Sequence, residues 1–237
     1  MEWKRYYEEE GIESLSAQAP YYRYALEQLD AFITAGRGEN EQITVVLGGL
    51  HPKATRPEHF EGMCSSLFRN PLDVVILDQN EQALKEIDRG RYSVFQAKIQ
   101  MLPKEIGLVS LLVCDYTTDF MSDSQIREMN VTLPNLMDKN GVLALTIENP
   151  TVPTLSKVSD LVRFGVKTYP RGVNKIKRLL SNFKLILDAR TANNNNLLVF
   201  VLKNAKISEF EGLSIGLFPD EGPFEEWIRL NQVSGQN

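Results

Sequence analysis

Short apolar runs alternate with amphipathic segments along most of the chain. The apolar runs are rich in valine, isoleucine and leucine, and they predict strands at Ile43–Leu47, Asp73–Leu77, Ser93–Ala97, Leu108–Val113 and Val142–Ile147. Continuous apolar strands that are separated by helical segments are typical of a parallel sheet with helices on both faces. We therefore expect a doubly wound α/β fold in which these strands are parallel.

The last two β-type runs follow a different pattern, because only a short polar link separates them. The runs are Asn182–Arg190 and Asn196–Asn204, joined only by "TANNN", and we expect the strands Leu185–Asp188 and Leu198–Leu202 within them. Such a link is too short for a helical crossover, so the two strands should pair antiparallel. The sequence thus predicts a mostly parallel seven-stranded sheet with a C-terminal antiparallel hairpin, its last strand inserted antiparallel to its neighbours.

The segments on either side of this sheet have their own patterns. Apolar side chains recur at helical spacing before the first strand, at Tyr22, Leu26, Leu29 and Phe32 or Ile33. We expect an N-terminal helical extension over residues 1–40, the α/β domain over 41–204 and an acidic C-terminal extension over 205–237. In the last of these, Phe224–Ile228 has the spacing of one helical face, which could pack on the domain or dock a partner.

Composition narrows the class of protein. The net charge of −5 argues against a general polyanion-binding surface, and no apolar run reaches the length of a membrane span. The first residues lack the apolar core of a signal peptide. Cys64 and Cys114 provide no disulfide framework, so we expect a cytoplasmic protein without a membrane partner.

Basic residues concentrate in one segment, Lys157–Arg178, which contains seven bases and a single acid, Asp160. Phe164 and Tyr169 are interleaved with these bases, as on some nucleic-acid-binding surfaces. The segment could therefore hold a nucleic acid or an acidic small molecule. It could equally be the solvated face of an amphipathic helix.

Two features at predicted strand ends favour ligand binding. Gly48 and Gly49 follow the first strand, and glycine is required where the backbone approaches a ligand closely, although a simple tight turn would explain them too. Asp78 ends the second strand, where a carboxylate can accept hydrogen bonds from two vicinal hydroxyls. Its alternative role as a helix cap is better suited to Asn80. Both features fall on the sheet edge where open α/β folds bind ligands.

Three stretches resemble the class I S-adenosylmethionine-dependent methyltransferases. "DVVILDQNEQALKEI" resembles the family's second strand and following helix, "NLMDKNGVLALTIE" its turn into the fifth strand, and "FKLILDAR" with "LLVFVLKN" its terminal hairpin. The resemblance covers roughly Glu41 to Asn204. It implies a Rossmann-like methyltransferase fold, S-adenosylmethionine as cofactor, and methyl transfer to an unidentified acceptor. By the same resemblance Asp78 binds the ribose, and the other cofactor-binding residues are Gly48, Gly49, Leu50, Gln79, Ala97 and Lys98.

The first-strand loop departs from the family pattern. Leu47 stands where the family usually has an acid, and His51 and Lys53 fall on later glycines. Ala97 or Lys98 occupies the position of the usual adenine-contacting acid. These departures favour a second hypothesis, a non-catalytic methyltransferase-like binding module. A third, a nicotinamide-dependent oxidoreductase, is opposed by the terminal hairpin and by the absence of G-x-G-x-x-G.

Candidate catalytic residues follow the first and fourth strands. Asp115 and Tyr116 match the position where many methyltransferases hold the acceptor, and Asp115 could remove a proton from it or simply cap a turn. His51 could act as a base, pack on adenine or be a solvated loop residue. The spacing of His51, His59 and Cys64 fits no recognised metal site, so we expect no metal.

Overall fold

The structure is a computed structural model, which describes residues 22–49, 57–85, 87–115, 117–147, 169, 171–190 and 196–207. Seven strands build one sheet: β1 (Ile43–Gly48), β2 (Leu72–Asp78), β3 (Ser93–Gln96), β4 (Val109–Asp115), β5 (Met137–Ile147), β6 (Phe183–Arg190) and β7 (Asn196–Leu202). Each predicted strand is present. β5 begins five residues earlier than Val142, the predicted start, and Leu108 is exposed just before β4.

The strand order is β3-β2-β1-β4-β5-β7-β6. The first five strands are parallel to one another, and β7 lies antiparallel between β5 and β6. This order confirms the predicted mostly parallel sheet, its closing hairpin and the inserted last strand. The order reverses between β1 and β4, and open α/β folds bind ligands at the carboxyl ends of the strands beside such a reversal.

Helices cover both faces of this sheet. They are α1 (residues 22–27), α2 (Asp30–Thr34), α3 (Pro57–Leu67), α4 (Glu81–Leu84), α5 (Asp123–Thr132) and α6 (Val173–Leu179). Short 3-10 helices occur at Ile99–Met101, Lys104–Ile106, Thr117–Phe120 and Leu133–Asn135. The start of α5 is well defined, because Ser122 and Gln125 form a reciprocal capping box. No helix within the described ranges is long and apolar enough to cross a membrane.

Two elements differ from their sequence pattern. α4 is only four residues long, and a turn follows it in which Asp88 accepts from the backbone N–H of Gly90 at 2.8 Å. Gly141 lies inside β5 and not in a turn before it, at a register shift in the pairing of β4 with β5. A Cβ on Gly141 would approach the carbonyl oxygen of Asp138 to 2.8 Å, so the bulge requires glycine.

The helical residues before β1 belong to the main core. Tyr22, Leu26, Phe32 and Ile33 are buried in the same apolar cluster as the side chains on one face of the sheet. Arg37, just beyond these helices, forms an ion pair with Asp138 and donates to Ser110 Oγ at 2.8 Å. The helical spacing read from the sequence therefore corresponds to a buried face. Residues 208–237, with the pattern at Phe224–Ile228, lie outside the described residues.

A buried polar contact connects the first helix to the fifth strand. Tyr22 and Thr146 are both fully buried, and their hydroxyl oxygens are 2.5 Å apart. Thr146 pairs in register with Asp115, so this hydrogen bond lies close to the carboxyl edge of the sheet. Because both residues are buried, this hydrogen bond takes the place of water for the two hydroxyl groups.

We expect Tyr22→Phe to destabilise the fold by about 1–3 kcal/mol, because it leaves the Thr146 hydroxyl buried without this partner. Thr146→Val in the Tyr22→Phe background should restore part of the loss, since both polar groups are then absent. Urea unfolding of the two single variants and the double variant measures the coupling. Strictly additive effects would contradict a direct hydrogen bond.

Candidate functional site

The carboxyl edge of the sheet brings together residues that are far apart in sequence. Gly48 lies opposite Leu77 of β2 and Cys114 of β4, and Asp78 lies opposite Gln96 of β3. The glycine turn, Asp78 and the end of β3 thus follow one another along the edge. This is the neighbourhood that the sequence predicted for a cofactor.

The turn at Gly48–Gly49 is held by hydrogen bonds within the protein. The N–H of Gly49 donates to the carbonyl of Leu77 at 3.1 Å, and the hydroxyl of Thr117 donates to the carbonyl of Gly48 at 3.2 Å. Gly49 has φ 79°, a value that favours glycine. A Cβ there would overlap Thr117 Oγ1 and lie 3.0 Å from Thr117 Cβ. Packing of Thr117 therefore explains the glycine without a ligand.

The neighbouring positions are apolar and close-packed. A Cβ on Gly48 would overlap the end of the Ile99 side chain and lie 3.8 Å from Cys114 Sγ. Leu47, at the family's usual acidic position, is 1 % exposed and belongs to the apolar core. The described end of β1 therefore offers apolar side chains and satisfied backbone groups.

The end of β2 is polar and buried. Asp78 is 6 % exposed, and its Oδ1 accepts from the backbone N–H of Asn80 at 2.7 Å. Asn80 in turn caps α4, because its Oδ1 accepts from the N–H of Gln82 at 3.1 Å. That bond orients the Asn80 amide and leaves Nδ2 buried, with no acceptor in the described structure. The predicted cap at Asn80 is present, and ribose binding by Asp78 stays a prediction.

The end of β3 completes this side of the edge. The N–H of Ala97 donates to the carbonyl of Asp78 at 3.0 Å, which fixes the two strand ends together. Gln79 and Lys98 are exposed, whereas Ile99 is buried against Gly48. Gln79 follows Asp78 in the chain and Ala97 is hydrogen-bonded to its backbone, and the side chains of Gln79 and Lys98 are exposed.

Several predicted site residues cannot be placed. Leu50, His51 and Tyr116 lie outside the described residues. The backbone of Asp115 ends β4, while its side chain is outside the described part. These residues keep the roles that the sequence suggested for them as proposals.

Residues that the sequence did not single out occupy the same edge. Thr117–Phe120 forms a 3-10 helix directly after β4, in which Thr118 and Asp119 are buried. Ile99 and Thr117 fill the space beside the two glycines. Their side chains have no special spacing in the sequence. The glycine pair was the one sequence signal at this place, because it indicates that a group comes close to the backbone. It could not show that the close groups are the side chains of Thr117 and Ile99 and not a ligand.

A buried arginine holds the 3-10 helix in place. Arg171 is 2 % exposed, and its guanidinium donates to the carbonyls of Thr118 at 2.9 Å, Tyr169 at 2.8 Å and Met121 at 2.5 Å. Its Nε donates to Asp123 Oδ1 at 2.8 Å. The N–H of Tyr169 also donates to the carbonyl of Asp119 at 2.6 Å. Arg171 was expected within an exposed basic segment. It is instead buried, because four protein acceptors surround it.

The remaining described bases of that segment are on α6. Lys175 forms a 2.9 Å ion pair with Asp123, so part of its charge is balanced locally. Lys177 and Arg178 are exposed, while Ile176 and Leu179 are buried beneath them. In the described part of the segment, α6 thus has the solvated basic face of an ordinary amphipathic helix.

The cysteines and histidine of the described region form no reactive centre. Cys64 and Cys114 are buried thiols outside any disulfide, and burial raises the pKa of the Cys64 thiol. His59 is exposed on the helix that buries Cys64. Among the described residues, no group of histidine, cysteine or acidic side chains has the arrangement of a metal site.

Known structures share this fold. LepI in complex with S-adenosylmethionine is 10 % identical, with a TM-score of 0.57 over 73 % of this chain and 46 % of LepI. The N-methyltransferase NodS from Bradyrhizobium japonicum WM9, in complex with S-adenosyl-L-homocysteine, is 11 % identical, with a TM-score of 0.54 over 84 % of this chain and 96 % of NodS. The pyocyanin biosynthetic protein PhzM is 12 % identical, with a TM-score of 0.51 over 85 % of this chain and 62 % of PhzM.

The chain therefore has the fold of the class I S-adenosylmethionine-dependent methyltransferases. At these identities the likeness concerns the fold, and the chain spans about half the length of LepI. No family model matches the chain, and no curated protein matches it in sequence.

The described residues fit the family's cofactor at one end of the site. Asp78 supplies a buried carboxylate where the family binds ribose, and the neighbouring Asn80 Nδ2 is a buried donor that a ligand acceptor would satisfy. At the other end, the glycine turn is covered by Thr117 and Ile99, and Leu47 supplies no charge. Among the described residues, the groups suited to the nucleoside half of the cofactor therefore outnumber those suited to its amino-acid half.

Arg171→Leu should lower the free energy of unfolding by about 3 kcal/mol or more, because each buried acceptor left without a donor costs about 1–3 kcal/mol. Urea unfolding followed by circular dichroism measures the change. Arg178→Leu is the matched control, since Arg178 is exposed on α6 and its loss should change stability by about 0.5 kcal/mol or less. Equal stability of the two variants would contradict the role given to Arg171.

Asp123 should titrate below the usual range. Hydrogen bonds from Lys175 and then Arg171 hold its pKa below the ordinary value of 3.8. The contribution of the ionised Asp123 carboxylate to the stability of the fold is therefore complete above the ordinary value of 3.8, and it is lost as the pH falls through the lowered pKa. Lys175→Met should raise the pKa of Asp123, so that the loss begins at a higher pH.

Carbon-13 NMR titration of the Asp123 carboxyl group measures this shift directly. Lys177→Met is the control, because Lys177 is exposed on the same helix and no ion pair with Asp123 is seen. If both variants titrate like the wild-type protein, the Lys175–Asp123 pair does not form in solution.

Proposed function

We propose that this protein binds S-adenosylmethionine at the carboxyl edge of β1, β2 and β3 and transfers its methyl group to an acceptor. The observation that carries the proposal is the buried carboxylate of Asp78 beside the glycine turn. It lies in a fold whose solved examples include complexes with S-adenosylmethionine and its demethylated product.

Each residue has a physical role in this proposal. Asp78 accepts hydrogen bonds from the ribose hydroxyls. The backbone N–H of Asn80, which donates to Asp78 Oδ1, holds the carboxylate in its orientation. Gln79, Ala97 and Lys98 border the adenine. When bound, S-adenosylmethionine supplies a methyl group on a positively charged sulfur, so the protein chiefly has to align the acceptor and exclude water.

The acceptor would lie at the end of β4. Asp115 ends this strand opposite Thr146 of β5, and Tyr116 follows it. The buried 3-10 helix Thr117–Phe120, held by Arg171, forms a fixed border on this side. An acceptor that must lose a proton would need a base here, and Asp115 is the candidate, with His51 from the first-strand loop as the alternative. The exposed bases of α6 are the remaining candidates for holding an acidic or nucleic-acid acceptor.

A specific observation also favours the second hypothesis, a non-catalytic module that keeps the fold for binding a partner. The glycine turn is explained by the packing of Thr117 and Ile99, and Leu47 is buried in the core. These contacts need no cofactor. Measurement of cofactor binding therefore separates the two hypotheses.

Asp78→Asn should weaken the binding of S-adenosylmethionine by at least about tenfold, because charge-assisted hydrogen bonds to ribose hydroxyls become neutral ones. Asparagine keeps an oxygen acceptor for the N–H of Asn80, so the turn before α4 is preserved better than by alanine. Isothermal titration calorimetry of both proteins measures the ratio of dissociation constants.

The matched control is Asp73→Asn, which removes a carboxylate from the opposite end of the same strand. It should leave cofactor affinity unchanged. A wild-type protein without saturable binding at millimolar S-adenosylmethionine would reject cofactor binding and favour the non-catalytic module. Equal affinities of wild type and Asp78→Asn would reject Asp78 as the ribose ligand.

A further inference from the structure

Charge is distributed unevenly along the last part of the chain. Residues 171–206 contain eight bases and a single acid, Asp188. Residues 208–237, called the acidic segment below, contain one base, Arg229, and six acids, which are Glu209, Glu211, Asp220, Glu221, Glu225 and Glu226. The acidic segment therefore carries −5, which equals the net charge of the whole chain. A strongly basic run is thus followed directly by a strongly acidic one.

Only some of the bases in this run are balanced by acids of the described fold. Arg171 and Lys175 form ion pairs with Asp123. Five further bases are exposed and form the basic surface discussed below, namely Lys177, Arg178, Lys184, Lys203 and Lys206. Within the described ranges, the first four of these five form no ion pair with an acidic side chain.

The basic surface surrounds a single turn of the chain. Lys177 and Arg178 are in the last turn of α6, and the chain reverses after them into β6. The N–H of Lys203 donates to the carbonyl of Asn182 in that turn at 3.0 Å. Lys184 pairs with the residue two positions before Lys203. The two lysines are therefore diagonal neighbours, which lie about 7–8 Å apart on adjacent strands.

This turn lies at the amino edge of the sheet, where β6 begins and β7 ends. The seven residues of β7 separate it by roughly 20 Å from the carboxyl edge, where the cofactor site is proposed. Ile207, four residues after Lys203, is buried in the core and is the last described residue. The acidic segment therefore leaves the fold beside the basic surface.

Ordinary explanations account for single bases of this surface. Lys177 and Arg178 interact favourably with the carboxyl end of the α6 dipole, and Lys184 on the edge strand β6 discourages pairing with another chain. They do not explain why the acids of the chain follow immediately. Exposed ion pairs are individually weak, but a tether raises the local concentration of its own charges, so several weak pairs can act together.

We propose that the acidic segment docks on the basic surface and is thereby held at the amino edge of the sheet. Complementary charge and the exit of the chain beside this surface carry the proposal. Of the two roles considered for Phe224–Ile228, it selects packing on the domain. The proposal does not depend on binding of S-adenosylmethionine, so the cofactor titrations test a different statement.

A nitroxide label in the full-length protein tests this docking. Gly222→Cys places a thiol between two pairs of acids, and the native thiols of Cys64 and Cys114 are buried away from the reagent. At low salt the label should broaden the amide NMR signals of Lys184 and Lys203 and leave that of Val94, on β3 at the other edge of the sheet, unchanged. The broadening should disappear at about 1 M salt, where the Debye length is about 3 Å.

Charge reversal supplies the matched comparison. Lys184→Glu with Lys203→Glu should abolish the broadening of both signals, because two attractions become repulsions. Lys85→Glu with Lys104→Glu changes the net charge equally at exposed positions beside β2 and β3, so the broadening should persist. Equal loss in both double variants would reject docking at the basic surface. The salt series uses native lysines, so it decides the proposal even if a double variant fails to fold.

Two other locations of the acidic segment would also be visible. Absence of broadening at Lys184 and Lys203 at low salt would reject the proposal. Broadening of the Gly48 and Asp78 signals in their place would put the segment at the carboxyl edge and reject it as well. If the lysine signals are not broadened but shift when a single-stranded oligonucleotide is added, the surface binds nucleic acid and not the acidic segment.

Discussion

The carboxyl edge of the sheet depends on the contact between Thr117 and the backbone of Gly48 and Gly49. This contact joins the end of β1 to the segment that follows β4, at the point where the strand order reverses. It requires a residue without Cβ at Gly49, since a side chain there would overlap Thr117. At the described carboxyl edge, Thr117 therefore fills the space above Gly49, and the end of β2 carries the buried carboxylate of Asp78.

Arg171 secures the same edge from the other direction. Its guanidinium satisfies backbone carbonyls on the 3-10 helix and on Tyr169, so the chain after β5 is tied to the chain after β4. Arginine suits this position because its planar group presents several donors at once. The charge is balanced by Asp123 at the start of α5, where the capping box already fixes the helix. The contacts of Arg171 therefore stabilise the fold and also hold the chain at the end of β4, where the acceptor is proposed to bind.

These contacts give the two functional hypotheses a common physical basis. In the proposed cofactor site, the buried carboxylate of Asp78 would hold the ribose, and this contact would not depend on methyl transfer. The two glycines at the end of β1 are explained by their contacts with Thr117 and Ile99, so they do not by themselves require a ligand. The hypotheses therefore differ in whether the site binds the cofactor.

The architecture was largely predictable from local pattern. Three sequence patterns each correspond to a described element: the alternation of strands and helices, the short link before β7 and the apolar spacing from Tyr22 to Ile33. They were readable because an element that is buried on one or both faces must repeat apolar residues with its own period. The positions of Asp78 at the end of a strand and of Asn80 at a helix cap were also predictable, because strand ends and helix caps are defined by a few adjacent residues. The short length of α4 and the bulge at Gly141 were not predicted. A turn that is closed by the Asp88 side chain and a shift in strand register produce no repeating pattern of apolar residues in the sequence.

The site required the tertiary structure. The glycine pair looked like room for a ligand, yet its partners are Ile99 and Thr117, which are more than 50 residues away in sequence. Arg171 looked like part of a charged surface, yet its acceptors come from segments around residues 118–123. By itself the sequence determined the strands, the helices that alternate with them and the position of the carboxylate at the end of β2. These features depend on residues that are close to one another along the chain. Which groups fill the space above the glycines, and which charges are buried, was decided only when distant segments packed together.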